Sequence, residues 1–310
     1  MNETASAIFE AMVAEAAAAA PLPCAVVHPC DRDSLAGAVA AADAGLIRPV
    51  LVGPPAKIRA TAEAAGVDIA AFDLVATEHS HEAAERAVAL ARSGAVAALM
   101  KGSLHTDELM AAVVAKEGGL RTARRTSHVF VMDVPAYERL LFITDAAINI
   151  YPTLAEKADI LQNAIDVARA LGVIRPKVAI LSAVETVNPK LPTTIDAAAL
   201  CKMADRGQIT GALVDGPLAF DNAISPEAAQ AKGIASPVAG QADILLVPDL
   251  EAGNMLAKQL SYFAGARSAG IVMGARVPIM LTSRADHAAT RLASAAVAVK
   301  VARARAAIVS

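Results

Sequence analysis

The chain has no tryptophan, aromatic residues make up only 3% of it, and its formal net charge is -3 over 310 residues. A nucleic-acid binder needs basic patches and stacking platforms, and this composition offers neither. Cysteine is scarce as well: Cys24, Cys30 and Cys201 form no CxxC pair and no even framework. Disulfides and structural zinc are left without support, and the three read as small buried residues. No apolar run of membrane-spanning length is free of charges or prolines,. The start, MNETASAIFE, lacks the basic end and apolar core of a signal peptide, so a cytoplasmic location is expected,. Also missing are a GxxxxGK[ST] loop, a GxGxxG after a strand and a GxSxG elbow, the usual marks of ATPases, ordinary dinucleotide binders and acyl-serine enzymes,.

What is present is alanine and short apolar runs. The hydrophobic fraction is 55%, but alanine supplies much of it in tracts such as AEAAAAA, where it favours helix rather than lipid,. Apolar, β-rich runs recur at PCAVVHP, RPVLVGP, VAALMKG, SHVFVMDVP, RLLFITD, PKVAILSA, ITGALVDGP, ADILLVPD, AGIVMG and VPIMLTS, mostly with helical patterns between them. That alternation predicts an α/β fold of mainly parallel, doubly wound sheets whose strands are buried on both faces. Only VPAYE separates SHVFVMD from RLLFITD, too short for a crossover helix, so an antiparallel hairpin is expected there,. The break suggests two domains, residues 1–131 with 271–310 and residues 132–270, with a ligand in the cleft between them.

In such sheets ligands gather at the carboxyl ends of strands. At the last strand end, Thr282, Ser283 and Arg284 precede an amphipathic helix, placing hydroxyls and a guanidinium fork where helix N–H groups favour an anion,. The plainer reading makes Ser283 a helix cap and Arg284 a solvated first-turn residue. After VAALM, the residues Lys101, Gly102 and Ser103 can hold an anion and His105 can donate to a phosphate, with Thr106 or Asp107 as the N-cap of the next helix,. Asp145 and Asn149, ahead of a helix capped near Thr153, either orient a substrate group or tie down their own loop,. Asp215 and Gly216 follow GALV; Asp249, Gly253, Asn254 and Lys258 follow ILLVP, with glycine allowing close approach and lysine supplying charge,. HSHEAAE has a metal-like look, but its second ligand is Glu85, no third is evident, and Ser80 reads as a helix cap, so no metal is expected,.

Taken in series, KGSLHT, TSHVFVMDVP, FITDAAINIYPT, ALVDGPLAFDNAIS, VPDLEAGNMLAKQL and the terminal TSRAD resemble the phosphate acetyl/butyryltransferase family over nearly the whole chain. The resemblance implies reversible transfer of a short acyl group, acetyl or butyryl, between coenzyme A and inorganic phosphate, in a ternary complex. It implies no metal or redox cofactor, and a two-domain fold like that of isocitrate and isopropylmalate dehydrogenases, as a homodimer built through the second domain. Ser283 and Arg284 match the family's serine–arginine pair, the serine donating to the tetrahedral oxyanion and the arginine binding phosphoryl oxygens,. Lys101, Gly102, Ser103, His105, Thr106, Asp145, Asn149, Asp215, Gly253, Asn254, Lys258 and Thr282 make up the expected substrate-binding set.

Three positions depart from the family pattern. Thr290 stands where an aspartate is expected seven residues after the serine, Ala112 where a second arginine is expected, and Ala146 where a cysteine is expected. Asp286 is the candidate replacement for the thiol base, and Arg121, Arg124 and Arg125 for the lost positive charge. These departures keep one alternative open, a non-catalytic sensor of acyl-CoA or acyl phosphate. A metal- and nicotinamide-dependent dehydrogenase on the same fold would need an aspartate cluster, which Asp215 and Asp249 alone do not make,.

Overall fold

The computed structural model describes residues 4–282 and 288–309. Its strands are β1 (Leu22–Val27), β2 (Ile47–Gly53), β3 (Asp73–Ala76), β4 (Ala98–Lys101), β5 (Ser127–Asp133), β6 (Leu141–Thr144), β7 (Lys177–Leu181), β8 (Leu213–Leu218), β9 (Ile244–Leu246), β10 (Arg267–Met273) and β11 (Ile279–Met280). The helices are α1 (Thr4–Ala17), α2 (Arg32–Asp43), α3 (Pro55–Ala65), α4 (Ser80–Arg92), α5 (Thr106–Val113), α6 (Leu154–Ala170), α7 (Pro192–Asp205), α8 (Phe220–Ile224), α9 (Pro226–Ala231), α10 (Leu250–Phe263) and α11 (Ala288–Val309). The chain divides into two compact units, Met1–Thr126 with Ala269–Ser310, and Ser127–Ser268.

In the first unit the strand order is β3-β2-β1-β4-β11-β10. Neighbours run parallel from β3 to β11, and β10 closes on β11 as an antiparallel pair. β4 is ALMK with every residue buried, the burial on both faces that crossover helices impose,. Helix ends follow local chemistry. α3 opens on Pro55 and stops at Gly66, whose φ of 67° is the left-handed cap that glycine adopts without a steric penalty,. β3 is not among the apolar runs of the sequence: DLVA is short and half-exposed, so it carries little of the signal of the inner strands.

In the second unit the order is β5-β6-β9-β7-β8. β5 and β6 form the expected antiparallel hairpin, which lies wholly in this unit, and the remaining pairs are parallel. α6 begins with a capping box in which Thr153 and Glu156 satisfy each other's backbone donors,. The core gathers Met132, Leu141, Ile143, Leu181, Leu218 and Leu245, drawn from five strands. β8 runs further than its sequence suggests. Asp215 and Gly216, expected past the strand end, lie inside β8: Asp215 is opposite Ala179 and Gly216 against Ile180, where the register shifts to accommodate them,. Among the described residues, no helix is long and apolar enough to cross a membrane.

Candidate functional site

In the first unit, three adjacent parallel strands, β1, β4 and β11, deliver their carboxyl ends side by side, with Val27 opposite Lys101 and Met100 opposite Met280. Behind β1, His28 takes the left-handed conformation at φ 54°, turning the chain sharply,. Gly102 lies against that turn: a Cβ on it would run into the carbonyl oxygens of Val27 and His28. Ser103 completes the junction. Its Oγ donates to the His28 carbonyl at 2.8 Å and accepts from the Cys30 amide at 3.3 Å. With its one proton spent, it accepts from His28 Nδ1 at 3.0 Å, which fixes the ring tautomer,. Burial and the nearby Lys57 charge hold the His28 imidazole below its usual pKa, partly offset by Glu108,.

Lys101 is buried, with Nζ donating to the Gly102 carbonyl at 3.5 Å. His105, not Thr106 or Asp107, is the N-cap of α5; it caps with its backbone, because a cap in extended conformation needs no particular side chain when acidic residues follow in the first turn,. Thr282 is buried, and its Oγ1 accepts from Arg291 Nη1 at 2.8 Å. Arg291 gives no signal in the sequence, because a charged residue in an alanine-rich helix reads as solvated. Ser283, Arg284 and Asp286 lie outside the described residues. Thr290 is half-buried in the first turn of α11, its carbonyl accepting from Ser294 Oγ.

In the second unit the carboxylate of Asp145 is saturated. Oδ1 accepts from the amides of Ala147 and Ile148, and Oδ2 from the amide and the side-chain Nδ2 of Asn149. Both residues are 3% exposed. Gly253, in the first turn of α10, packs on this loop so closely that a Cβ would lie 2.8 Å from the Asp145 carbonyl oxygen. Asn254 Nδ2 donates to the Ala146 carbonyl at 3.1 Å, and Asp249 caps α10 through the amide of Ala252. Asp145, Asn149, Gly253 and Asn254 are thus one assembly joining the β6 end to α10. Lys258 is exposed and lies one turn, about 6 Å, beyond Asn254 along α10,. Asp215 accepts from the Gly216 amide within β8.

The remaining candidates separate cleanly. Burial pushes the thiol of Cys24 far up, that of Cys30 to about 11 and that of Cys201 to about 12, so none supplies a thiolate near neutrality,. No group of metal-ligating residues is present among the described residues. The cap of α4 is His79, whose Nδ1 accepts from the Glu82 amide, rather than Ser80; the imidazole reaches back over the first turn as a shorter hydroxyl would. Of the arginine cluster, Arg121 and Arg125 are exposed and Arg124 is half-buried, on a segment whose Thr122 donates to the Gly274 carbonyl. Ala112 lines a cavity of about 430 Å³ beside α4, together with Arg92 and Glu108.

A family model described as Phosphate acetyl/butaryl transferase matches residues 76–299. The chain is 62% identical to a phosphate acetyltransferase of Rhizobium meliloti over 94% of its own length and 92% of that protein. It is 46% identical to a phosphate butyryltransferase of Clostridium acetobutylicum, covering 83% of this chain and 86% of that one. Among solved structures, a branched-chain phosphotransacylase from Enterococcus faecalis V583 matches with a TM-score of 0.78 at 30% identity, covering 91% of this chain and 99% of that one.

Proposed function

From the premise that the chain belongs to the phosphate acetyl/butyryltransferase family, we propose that it is a phosphate acyltransferase, moving a short acyl group reversibly between coenzyme A and inorganic phosphate. The CoA thiolate attacks the carbonyl carbon of an acyl phosphate; a C–S bond forms, the C–O bond to phosphate breaks, and phosphate leaves with the electron pair. Arg284 grips the phosphoryl oxygens and Ser283 donates to the oxyanion of the tetrahedral intermediate, an interaction typically worth about 3–4 kcal/mol. Asp286 stands as the group that draws the thiol proton, since threonine at 290 has no basic oxygen at neutral pH. Lys101, Gly102, Ser103, His105 and Thr106 border the phosphate, and Thr282, next to the pair in sequence, completes the first unit's share of the substrate-binding set. Asp145, Asn149, Asp215, Gly253, Asn254 and Lys258 are the second unit's members of the proposed substrate-binding set, four of them joined in the loop assembly at the β6 end.

The observation that carries this reading is 62% identity to a phosphate acetyltransferase across 94% of the chain, which has the Ser283–Arg284 pair directly after the β11 run in sequence. It also favours an enzyme over a sensor. Coenzyme A and phosphate are substrates, and no cofactor is required. The protein works in the cytoplasm as a homodimer. α10 offers support for the dimer: Met255, Tyr262 and Phe263 lie along it at i, i+7 and i+8 and are 59%, 78% and 92% exposed, more apolar area than a monomer usually leaves open,. Sedimentation of wild type and Tyr262→Glu/Phe263→Glu tests this, with a dimer expected for the first and a monomer for the second.

The activity is tested by thiol release from acetyl-, propionyl- and butyryl-CoA in EDTA, with and without phosphate. Phosphate-dependent release is expected, and the three rates rank the acyl chains. No release from any of them overturns the reading.

A further inference from the structure

A buried guanidinium holds the residue that precedes the Ser283–Arg284 pair. Arg291 is 3% exposed and Thr282 6% exposed, and Arg291 Nη1 donates to Thr282 Oγ1 at 2.8 Å. The surrounding fold is cut to admit this side chain. Gly37 of α2 faces it, and a Cβ there would run into Arg291 Cδ and lie 3.2 Å from its Cβ. Arg291 sits in the first turn of α11, which is itself fastened: Ser294 Oγ donates to the Thr290 carbonyl at 2.7 Å and accepts from the Gly270 amide of β10 at 3.0 Å. The Thr282–Arg291 bond therefore ties the end of the β11 run to the start of α11, the two stems of the segment 283–287. Burying a guanidinium is costly, and an aliphatic chain of the same reach would fill the space with less desolvation, so stability alone does not account for it.

We propose that Arg291 is a positioning residue, a clamp: through Thr282 it fixes the end of the β11 run against the start of α11, the two elements that flank the proposed Ser283–Arg284 pair in sequence. This rests on the transferase reading above. It is also distinct from contact with substrate: the guanidinium acts through Thr282, and its loss is felt in the chemical step. Catalytic geometry is sensitive to such support, a shift of about 1 Å from a remote change costing about 100-fold in rate.

The test measures kcat, KM for acetyl-CoA, KM for phosphate and Tm for wild type, Thr282→Ser, Thr282→Val, Arg291→Lys and the double variant Thr282→Val/Arg291→Lys. Thr282→Val keeps the branched shape but removes the acceptor, and its kcat is expected to fall about 10- to 100-fold with both KM values within about twofold of wild type. Thr282→Ser keeps the hydroxyl and restores kcat to within about threefold of wild type. Because the proposed effect of both residues runs through their shared bond, the double variant is expected to be no slower than the slower single variant. Thr282→Val with wild-type kcat overturns the clamp, and so does a loss confined to KM for phosphate, which would make these residues substrate contacts. Multiplicative losses in the double variant overturn it too. If Arg291→Lys does not fold, the Ser and Val variants at 282 decide alone. A wild-type enzyme without phosphate-dependent release refutes the transferase reading instead, so the two failures are distinguishable.

Discussion

Both units place a glycine where a loop leaves a strand end, yet the two junctions are held in opposite ways. In the first, Gly102 lies against the backbone of Val27 and His28, and the bonds around it join neutral hydroxyl, imidazole and amide groups from two strands. In the second, Gly253 lies against a loop organised around one carboxylate whose two oxygens accept four hydrogen bonds. A saturated carboxylate has no capacity left for a ligand and serves as scaffold. In sequence, the β11 run of the first unit is followed by Ser283 and Arg284, the pair proposed above to serve the acyl transfer. On the proposed reading, the difference separates residues that do chemistry from residues that hold a loop, even where both follow strand ends.

The largest effect expected from breaking this comparison is at Arg284. Arg284→Ala should cut phosphate-dependent thiol release about 1,000-fold, the scale of losing a charged oxyanion or phosphate donor, while Tm stays at the wild-type value. Gly102→Ala comes next. Its Cβ has no space against two carbonyl oxygens, so the β1 and β4 ends must part, lowering stability by about 1–3 kcal/mol and activity with it,. Asp145→Asn turns an acceptor of four bonds into a neutral group that also carries donors. Chemical denaturation should show a loss of about 2 kcal/mol, with kcat reduced less than about tenfold, well short of the roughly 100-fold that misplaced reacting groups bring.

The smallest effect is a pH dependence at His28. Its folded pKa lies below the ordinary 6.5, so between the folded value and 6.5 the unfolded chain binds more protons,. Stability from the neutral ring is therefore complete above pH 6.5 and is lost as pH falls through that window. The substitution His28→Asn removes the titrating ring while keeping a residue type that tolerates the left-handed backbone, and it should flatten the slope of Tm between about pH 5 and 7. A wild-type slope in that variant would assign the titration elsewhere.

Much of the fold is legible in the sequence because parallel strands buried on both faces announce themselves as apolar runs, and the VPAYE connection is too short for anything but a hairpin,. β8 misleads because Asp215, Gly216 and Pro217 are turn-forming residues; inside a strand they survive only at the register shift beside Ala179,. The saturation of Asp145 is half legible, since Asp and Asn four residues apart suit a self-bonded loop, but which groups fill its oxygens is a matter of three dimensions. Arg291 is not legible at all. Its burial depends on Gly37, more than 250 positions earlier, and no local pattern links an arginine in α11 to a missing side chain in α2. The role proposed for Ser283 and Arg284 comes through family resemblance, not through spacing.

The most direct test of this division is to measure kcat for phosphate-dependent CoA release and Tm on the same preparations of Arg284→Ala and Asp145→Asn. A stable, nearly inactive Arg284→Ala and an active, less stable Asp145→Asn are expected. An active Arg284→Ala, or an Asp145→Asn protein as stable as wild type with its catalysis abolished, would contradict the division.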